Sequence, residues 1–296
     1  MRILRTLPEI RAAVADARQQ HRTVGLVPTM GAFHEGHLSL MRRAREQNDL
    51  VVVSLFVNPT QFGPSEDLAA YPRDEARDAA LAEQAGVDIL FAPAPAEIYP
   101  DGFATTVHVA GITEVLDGAA RGAFHFDGVA TVVTTLFGII RPDAAYFGQK
   151  DAQQLLVVRR VAADLHLGVR IEACPIVREP DGLAMSSRNV YLDPDARQQA
   201  TALNRALDAG ASLHAQGERD AGRIVAAARR VLADAGIAPE YLELRGSADL
   251  RPLDHVDGDA LLAVAARVGA ARLIDNHILT DHVLTDHVLT DQRGDA

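Results

Sequence analysis

The chain contains one cysteine, Cys174, among 296 residues, no tryptophan, and aromatic side chains at only 5%. A lone cysteine excludes an intrachain disulfide and a cysteine-built zinc site, and Cys174 is expected to be a small buried hydrophobe in a reducing compartment. Positive charge is scarce: 29 lysines and arginines against 40 aspartates and glutamates leave a formal charge of −11. That balance argues against nucleic acid or an anionic membrane as partner and leaves room for a local basic pocket. No apolar run approaches the roughly 20 residues that cross a bilayer, and the N-terminus has no apolar signal stretch, so the expectation is a soluble, cytoplasmic protein. Hydrophobic residues are plentiful at 48%, enough to bury the core of one large or two modest domains.

Short apolar runs alternate with helical patterns in the first part of the chain. Strand candidates are Thr23 to Val27, Leu50 to Val57, Val87 to Phe91, Ala144 to Phe147 and Val169 to Ala173. Between them, His34 to Gln47, Asp74 to Gln84, Gly128 to Ile140 and Asp151 to Leu165 carry apolar residues at helical spacing. This alternation predicts an α/β domain, a Rossmann-like doubly wound parallel sheet with ligands at the carboxyl ends of its strands. Beyond Val177 the order changes to helices Pro194 to Ala215 and Asp220 to Ala235, then strands Tyr241 to Leu244, Leu261 to Ala266 and Arg272 to Ile274. We expect a first domain over 1–176, a smaller α+β domain over 177–276 and a tail over 277–296. The tail repeats one pentapeptide pattern three times from His277, His282 and His287. Five residues turn a helix through about 500° and reverse a strand's face, so the repeat gathers no metal ligands in either form. It reads as an exposed, dispensable tail.

The first strand candidate leads into Met30-Gly31-Ala32-Phe33-His34-Glu35-Gly36-His37 at the start of a helix. His34 and His37, three residues apart, share a face, Gly36 permits close backbone approach, and a helix N-terminus favours phosphate. A helix cap with two solvated histidines is the plainer alternative, and the strand–glycine–helix setting weighs against it. A second segment, Met185-Ser186-Ser187-Arg188, offers two hydroxyls and a guanidinium to a polyphosphate, or else forms an ordinary capping turn. Between them, Gly148-Gln149-Lys150-Asp151 stands at a strand end. Gly148 can admit a ribose, Lys150 can neutralise phosphate, Asp151 can hold ribose hydroxyls or cap the helix, and Gln154 lies one turn beyond Lys150. Asn58 and Gln61 add uncharged hydrogen-bonding groups in a proline- and glycine-bearing loop.

Pro28 to His37, Phe56 to Gly63, Leu68 to Arg73, Arg141 to Gln154 and Pro175 to Leu192 together resemble the pantoate–β-alanine ligase family, and the resemblance runs from Met1 to about Asn276. It implies ATP and pantoate reacting to pantoyl adenylate and pyrophosphate, then β-alanine displacing AMP. It also implies the roles of residues: Met30 to His37 on ATP, with His34 and His37 stabilising the reacting phosphate and His37 as proton donor. Lys150 bridges phosphate and pantoate, Gly148, Gln149 and Asp151 face the nucleotide, and the backbone of Val177 meets the adenine. Met185 to Arg188 close over the triphosphate, Gln61 and Gln154 hold pantoate, and Asn58 and Gln61 lie near β-alanine. Magnesium accompanies ATP, with Asp78 as its candidate ligand, and the resemblance further implies a homodimer.

Three departures stand out. The family commonly has glutamate at the place of Gln149, one residue is added within Arg121 to Gly128, so the role of Arg121 does not carry over, and nothing matches beyond Asn276. Two other functions share the first motif: a different small-molecule nucleotidylyltransferase, and a noncatalytic nucleotide sensor or RNA-binding relative of tRNA-charging enzymes. The charge of −11 and the lack of a basic RNA-binding region disfavour the RNA binder.

Overall fold

The computed structural model describes residues 1–63, 68–69 and 71–280. The chain divides into two compact units, one made of Met1–Gly148 with Gln153–Cys174, the other of Gln149–Ala152 with the chain from Pro175 onward.

The first unit contains β1 (Arg2–Leu4), α1 (Leu7–Gln19), β2 (Val24–Thr29), α2 (Glu35–Gln47), β3 (Leu50–Leu55), α3 (Glu75–Gln84), β4 (Ile89–Phe91), α4 (Pro95–Ile98), α5 (Asp117–Arg121), α6 (Ala123–Ile140), β5 (Ala144–Gly148), α7 (Ala152–Asp164) and β6 (Arg170–Cys174). Its six strands form one parallel sheet in the order β1-β4-β3-β2-β5-β6. Central strands are apolar on both faces because helices cover both: Val51, Val52, Val53, Ile89 and Leu90 are fully buried. The doubly wound α/β expectation is met. The chain moves outward from β2 through β3 to β4, then returns to place β5 on the other side of β2, so the order reverses between β2 and β5. Open α/β sheets bind ligands at such a reversal, beyond the carboxyl ends of the strands.

Several features differ from the sequence expectation, among them the unanticipated short helices α4 and α5 and the segment Gln149–Ala152, expected in the first domain and found in the second unit. β1 and α1 were not anticipated; β1 is a three-residue edge strand, too short to show alternation, while α1 carries the Thr6–Glu9 capping box. α6 begins at Ala123 rather than Gly128. At 18 residues it is long and apolar enough by composition to cross a membrane, yet 67% of it is buried inside the unit, which marks a core helix. The expected helix from Pro194 to Ala215 is two, α8 (Pro194–Ala200) and α9 (Ala202–Ala215), broken at Thr201, whose hydroxyl donates back to Gln198 O at 2.8 Å. Last, the expected tail does not begin at His277.

The second unit holds α8, α9, α10 (Ala221–Asp234), and an antiparallel sheet of β7 (Pro239–Gly246), β8 (Ala260–Val268) and β9 (Ala271–Leu279) in that order. β9 runs into the first copy of the pentapeptide repeat, through Leu279, because its pairing with β8 continues, His277 opposite Leu262 and Leu279 opposite Ala260. The remainder of the repeat, from Asp281, lies outside the described residues. Leu203 and Leu207 of α9, Ile224 and Leu232 of α10, and Leu262, Val264 and Leu273 of the sheet share one core. α9 comes so near β8 that a Cβ on Gly210 would meet Leu262 Cδ2 at 2.6 Å.

Candidate active site

After β2 the chain turns sharply before entering α2. Gly31 has φ +91° and Ala32 φ +53°, and a Cβ on Gly31 would meet Leu55 Cδ1 at 2.8 Å. A left-handed non-glycine residue costs about 1–2 kcal/mol. Asp78, from α3, offsets that cost: its carboxylate oxygens accept the N–H groups of Ala32 and Phe33, each at 2.8 Å. Burial holds the Asp78 carboxyl above the ordinary carboxylate value, against the opposing pull of the two backbone donors and of Arg77. Asp78 thus holds the turn with both oxygens. It was expected as a magnesium ligand, and its donor atoms serve the backbone instead; no group of three His, Cys, Asp or Glu side chains able to hold a metal occurs among the described residues.

The turn delivers His34 to the N-cap of α2. His34 Nδ1 accepts the Gly36 N–H at 3.2 Å, and His37 Nδ1 accepts the His34 N–H at 3.4 Å, a capping box built from two imidazoles. Because Nδ1 is the acceptor in both rings, the neutral tautomer carries its proton on Nε2. The rings lie 4.2 Å apart between centroids, tilted by 44°. Phe33 packs at 5.5 Å against His37 and is itself buried beside Met41, so its side chain belongs to the core rather than to a ligand contact. Glu35 is ion-paired with Arg42 on the exposed side of α2. Two Nε2–H donors at a helix N-terminus suit an anion on which charge develops.

Beside this turn sits a cluster of amides. Asn58 is buried and spends its whole amide within the protein: Nδ2 donates to Gln61 Oε1 at 3.1 Å and Gly128 O at 3.0 Å, and Oδ1 accepts from Tyr99 Oη at 2.7 Å and Thr60 Oγ1 at 3.0 Å. Asn58 was expected near β-alanine; it instead orients Gln61, whose Nε2 approaches Met30 Sδ at 3.2 Å. The structure therefore brings Gln61, Met30 and the histidine turn together. Tyr99, which sequence reasoning missed, completes the support. Below, α6 closes on the 3-10 turn Pro59–Gln61, where a Cβ on Gly128 would meet Thr60 O at 2.6 Å.

Near Phe124 the helix is broken: α5 ends at Arg121, Gly122 takes φ +98°, and α6 starts at Ala123. Arg121 Nη1 donates to His125 Nε2 at 2.9 Å, so His125 Nδ1–H donates to Gln61 O at 3.0 Å. On α7, Gln153 is structural, accepting from Asp117 N and donating to Ile112 O and Val115 O, whereas Gln154 is half-buried. Gly148 ends β5 with nothing within 4 Å of an added Cβ.

In the second unit, Lys150 sits in the 3-10 turn Gln149–Asp151, its Nζ 3.6 Å from Asp151 Oδ1. Gln149 was expected to face the nucleotide; its side chain is buried and donates to Asn276 Oδ1 at 3.2 Å. A tight hairpin carries the serine–arginine segment: Met185 N donates to Val177 O at 2.9 Å, and Gly182 turns with φ +90°. Ser186 caps the 3-10 turn Ser187–Tyr191, its Oγ accepting from Arg188 N at 3.3 Å. Arg188 makes no ion pair among the described residues, which leaves a cation at the start of that turn.

A parallel sheet with a histidine-capped helix at its central reversal defines an α/β protein of the nucleotide-handling type. The family profile described as Pantoate-beta-alanine ligase matches residues 2–278. The pantothenate synthetase of Roseiflexus castenholzii is 57% identical over 277 residues, 93% of this chain and 98% of that protein. The crystal structure of the Thermus thermophilus pantothenate synthetase superposes with a TM-score of 0.89 at 49% identity, covering 94% of this chain and 99% of that one. The Francisella tularensis pantoate-beta-alanine ligase, complexed with beta-gamma ATP and beta-alanine, superposes with a TM-score of 0.77 at 30% identity, over 94% and 97%. This chain belongs to the pantoate–β-alanine ligase family.

Proposed function

We propose that the chain condenses pantoate with β-alanine at the expense of ATP, with the His34–His37 capping box as the element that stabilises the reacting phosphate. The two imidazoles at the carboxyl end of β2, each with Nδ1 accepting a backbone N–H at the start of α2, are the observation that carries this reading. The family membership and the nucleotide and β-alanine held by the Francisella relative support it.

Pantoate's carboxylate, with a pKa of about 4 or below, is ionised at neutral pH and attacks the α-phosphorus without a general base. A new P–O bond forms, and the bond to pyrophosphate breaks. His34 and His37 donate hydrogen bonds through Nε2–H to the phosphate oxygens, His37 to those of the leaving pyrophosphate, while Lys150 and Arg188 offset its charge. In the second step the neutral amine of β-alanine attacks the acyl carbon, the acyl–oxygen bond breaks, AMP leaves, and the amine proton passes to solvent. Gln61, oriented by Asn58, and Gln154 hold pantoate; Gln61 also meets β-alanine. Met30 to Ala32 and Gly36 present backbone to ATP, Gly148 and Asp151 serve the ribose, the Val177 backbone meets adenine, and Met185, Ser186 and Ser187 bind the triphosphate.

Magnesium does not fit as an ion caged by this chain, because the Asp78 oxygens accept the Ala32 and Phe33 N–H groups and no cluster of three or more His, Cys, Asp or Glu side chains able to hold a metal occurs among the described residues. It enters with ATP, its coordination filled by phosphate oxygens and water. The family resemblance supports reading the protein as a cytoplasmic homodimer, and the charge of −11 disfavours nucleic acid as partner. Exchange of labelled pyrophosphate into ATP tests the reading: it should require pantoate and be independent of β-alanine. Exchange without pantoate, or none with it, overturns the assignment.

A further inference from the structure

Lys150 has few anchors of its own. Among the described residues its ammonium pairs with one adjacent, half-exposed carboxylate, 3.6 Å away, and the turn that bears it is three residues long. What holds this turn is a residue 126 positions further along the chain: Asn276 Nδ2 donates to Lys150 O at 2.9 Å and to Gln149 O at 3.0 Å. Its Oδ1 accepts from Gln149 Nε2 at 3.2 Å, so the amide uses both hydrogens and its oxygen on one turn. Gln149 and Asn276 are 2% and 3% exposed, so water does not compete for these bonds.

The preceding residue points the other way, as neighbours in a strand do. Asp275 accepts two hydrogen bonds from Arg178, at 2.7 and 3.0 Å, and Arg178 also donates to Gly182 O at 3.1 Å. Those contacts pin the hairpin that leads into Ser186–Arg188. Asp275 Oδ1 further accepts the Asn276 N–H at 2.8 Å, which couples the two side chains through their own backbone.

We infer that Asn276 is a positioning residue for Lys150: with Gln149 as its matched partner, it fixes the lysine turn to β9, while Asp275 fixes the serine–arginine hairpin to the same strand. This rests on the ligase reading, in which both segments serve ATP. It also gives the glutamine at 149 a physical reason: only an amide can donate to Asn276 Oδ1, and a carboxylate there would face an oxygen. One dipeptide therefore sets two cation-bearing segments in a common frame, and a shift at β9 moves both.

The test is a double-mutant cycle on pantoate-dependent pyrophosphate exchange, with thermal melts of every variant. Asn276→Ala should lower kcat/KM for ATP on the order of tenfold. In a Lys150→Ala background the same change should have almost no further effect, because the residue it positions is gone. Losses that multiply in the double variant would overturn the inference, as would a wild-type rate in Asn276→Ala. A wild-type rate in Lys150→Ala alone would instead remove Lys150 from the mechanism and the inference with it, so the two failures are distinct. Should Asn276→Ala not fold, Gln149→Ala keeps both main-chain bonds and removes only the amide partner; its smaller loss should likewise vanish without Lys150, and persistence of that loss counts against the inference.

Discussion

The backbone N–H of His34 is held by Nδ1 of His37 at 3.4 Å, so the second histidine of the motif caps the helix from which the first is presented. Each ring therefore has a structural end and a chemical end. Nδ1 faces the backbone, and the proton is assigned to Nε2.

That division separates capping from catalysis. Asparagine is as good an N-cap as any residue, so His34→Asn should keep Gly36 N–H satisfied and change stability by no more than about 0.5 kcal/mol. Pyrophosphate exchange should nevertheless fall more than tenfold, about 1.4 kcal/mol of barrier, because the Nε2–H is lost. Exchange at the wild-type rate would show that His34 is only a cap.

Asp78→Asn tests the buttress beneath the turn. An asparagine replaces one accepting oxygen with an NH2 group facing a backbone N–H, and an unsatisfied buried pair of this kind costs about 1–3 kcal/mol. Urea denaturation should show that loss, and turnover should drop with it. The magnesium dependence of the ATP KM should stay as in the wild type; a large shift there with unchanged stability would restore Asp78 as a metal ligand.

Asn58 and Gln61 should fail in different ways. Asn58→Ala removes the acceptor shared by Tyr99 Oη and Thr60 Oγ1, leaving those hydroxyls each other at 3.3 Å, and the donor to Gly128 O, and is expected to cost about 2 kcal/mol of stability. Gln61→Ala should disturb stability less and raise the KM for pantoate. Calorimetry and initial rates on the two variants check this; equal stability losses with unchanged KM values would refute it.

The second unit carries a pH dependence. Burial pushes the His277 pKa down, as does the nearby Arg178, against the opposing pull of Asp275 and of Asp208, whose carboxylate is 3.6 Å away. The folded form thus prefers neutral imidazole. Its contribution to stability is complete above the unfolded value of about 6.5 and is lost as pH falls through the lower folded pKa. Melting temperatures followed from about pH 7.5 to 5 should decline less steeply for His277→Gln than for the wild type. Parallel profiles would mean that another group governs the acid limb.

Much of the site was legible because its signals are local. Histidines three residues apart at a strand–helix junction, a glycine between them and a serine–arginine pair are patterns within single segments, and local spacing sets their geometry. The Thr6–Glu9 capping box was equally visible and marks α1, yet the short strand before it offered no alternation to draw attention there. The pentapeptide repeat misled in the opposite sense: composition suggested a tail, whereas pairing with β8 carries the first copy into the sheet.

By itself the amino-acid order determined the α/β alternation, the histidine-capped helix start, the shortage of positive charge and the family. Only the tertiary structure decided that Asp78, 45 residues from Phe33, supports the histidine turn, that Asn58 orients Gln61, and that Asn276, 127 residues from Gln149, clasps the lysine turn. The reason is physical: a side-chain amide or carboxylate is a short-range donor or acceptor, and its partner is whatever backbone the sheet order brings within about 3 Å. Strand order is the outcome of packing the whole core, so these long-range pairings are specified by the folded chain and carry no mark in the residues beside them.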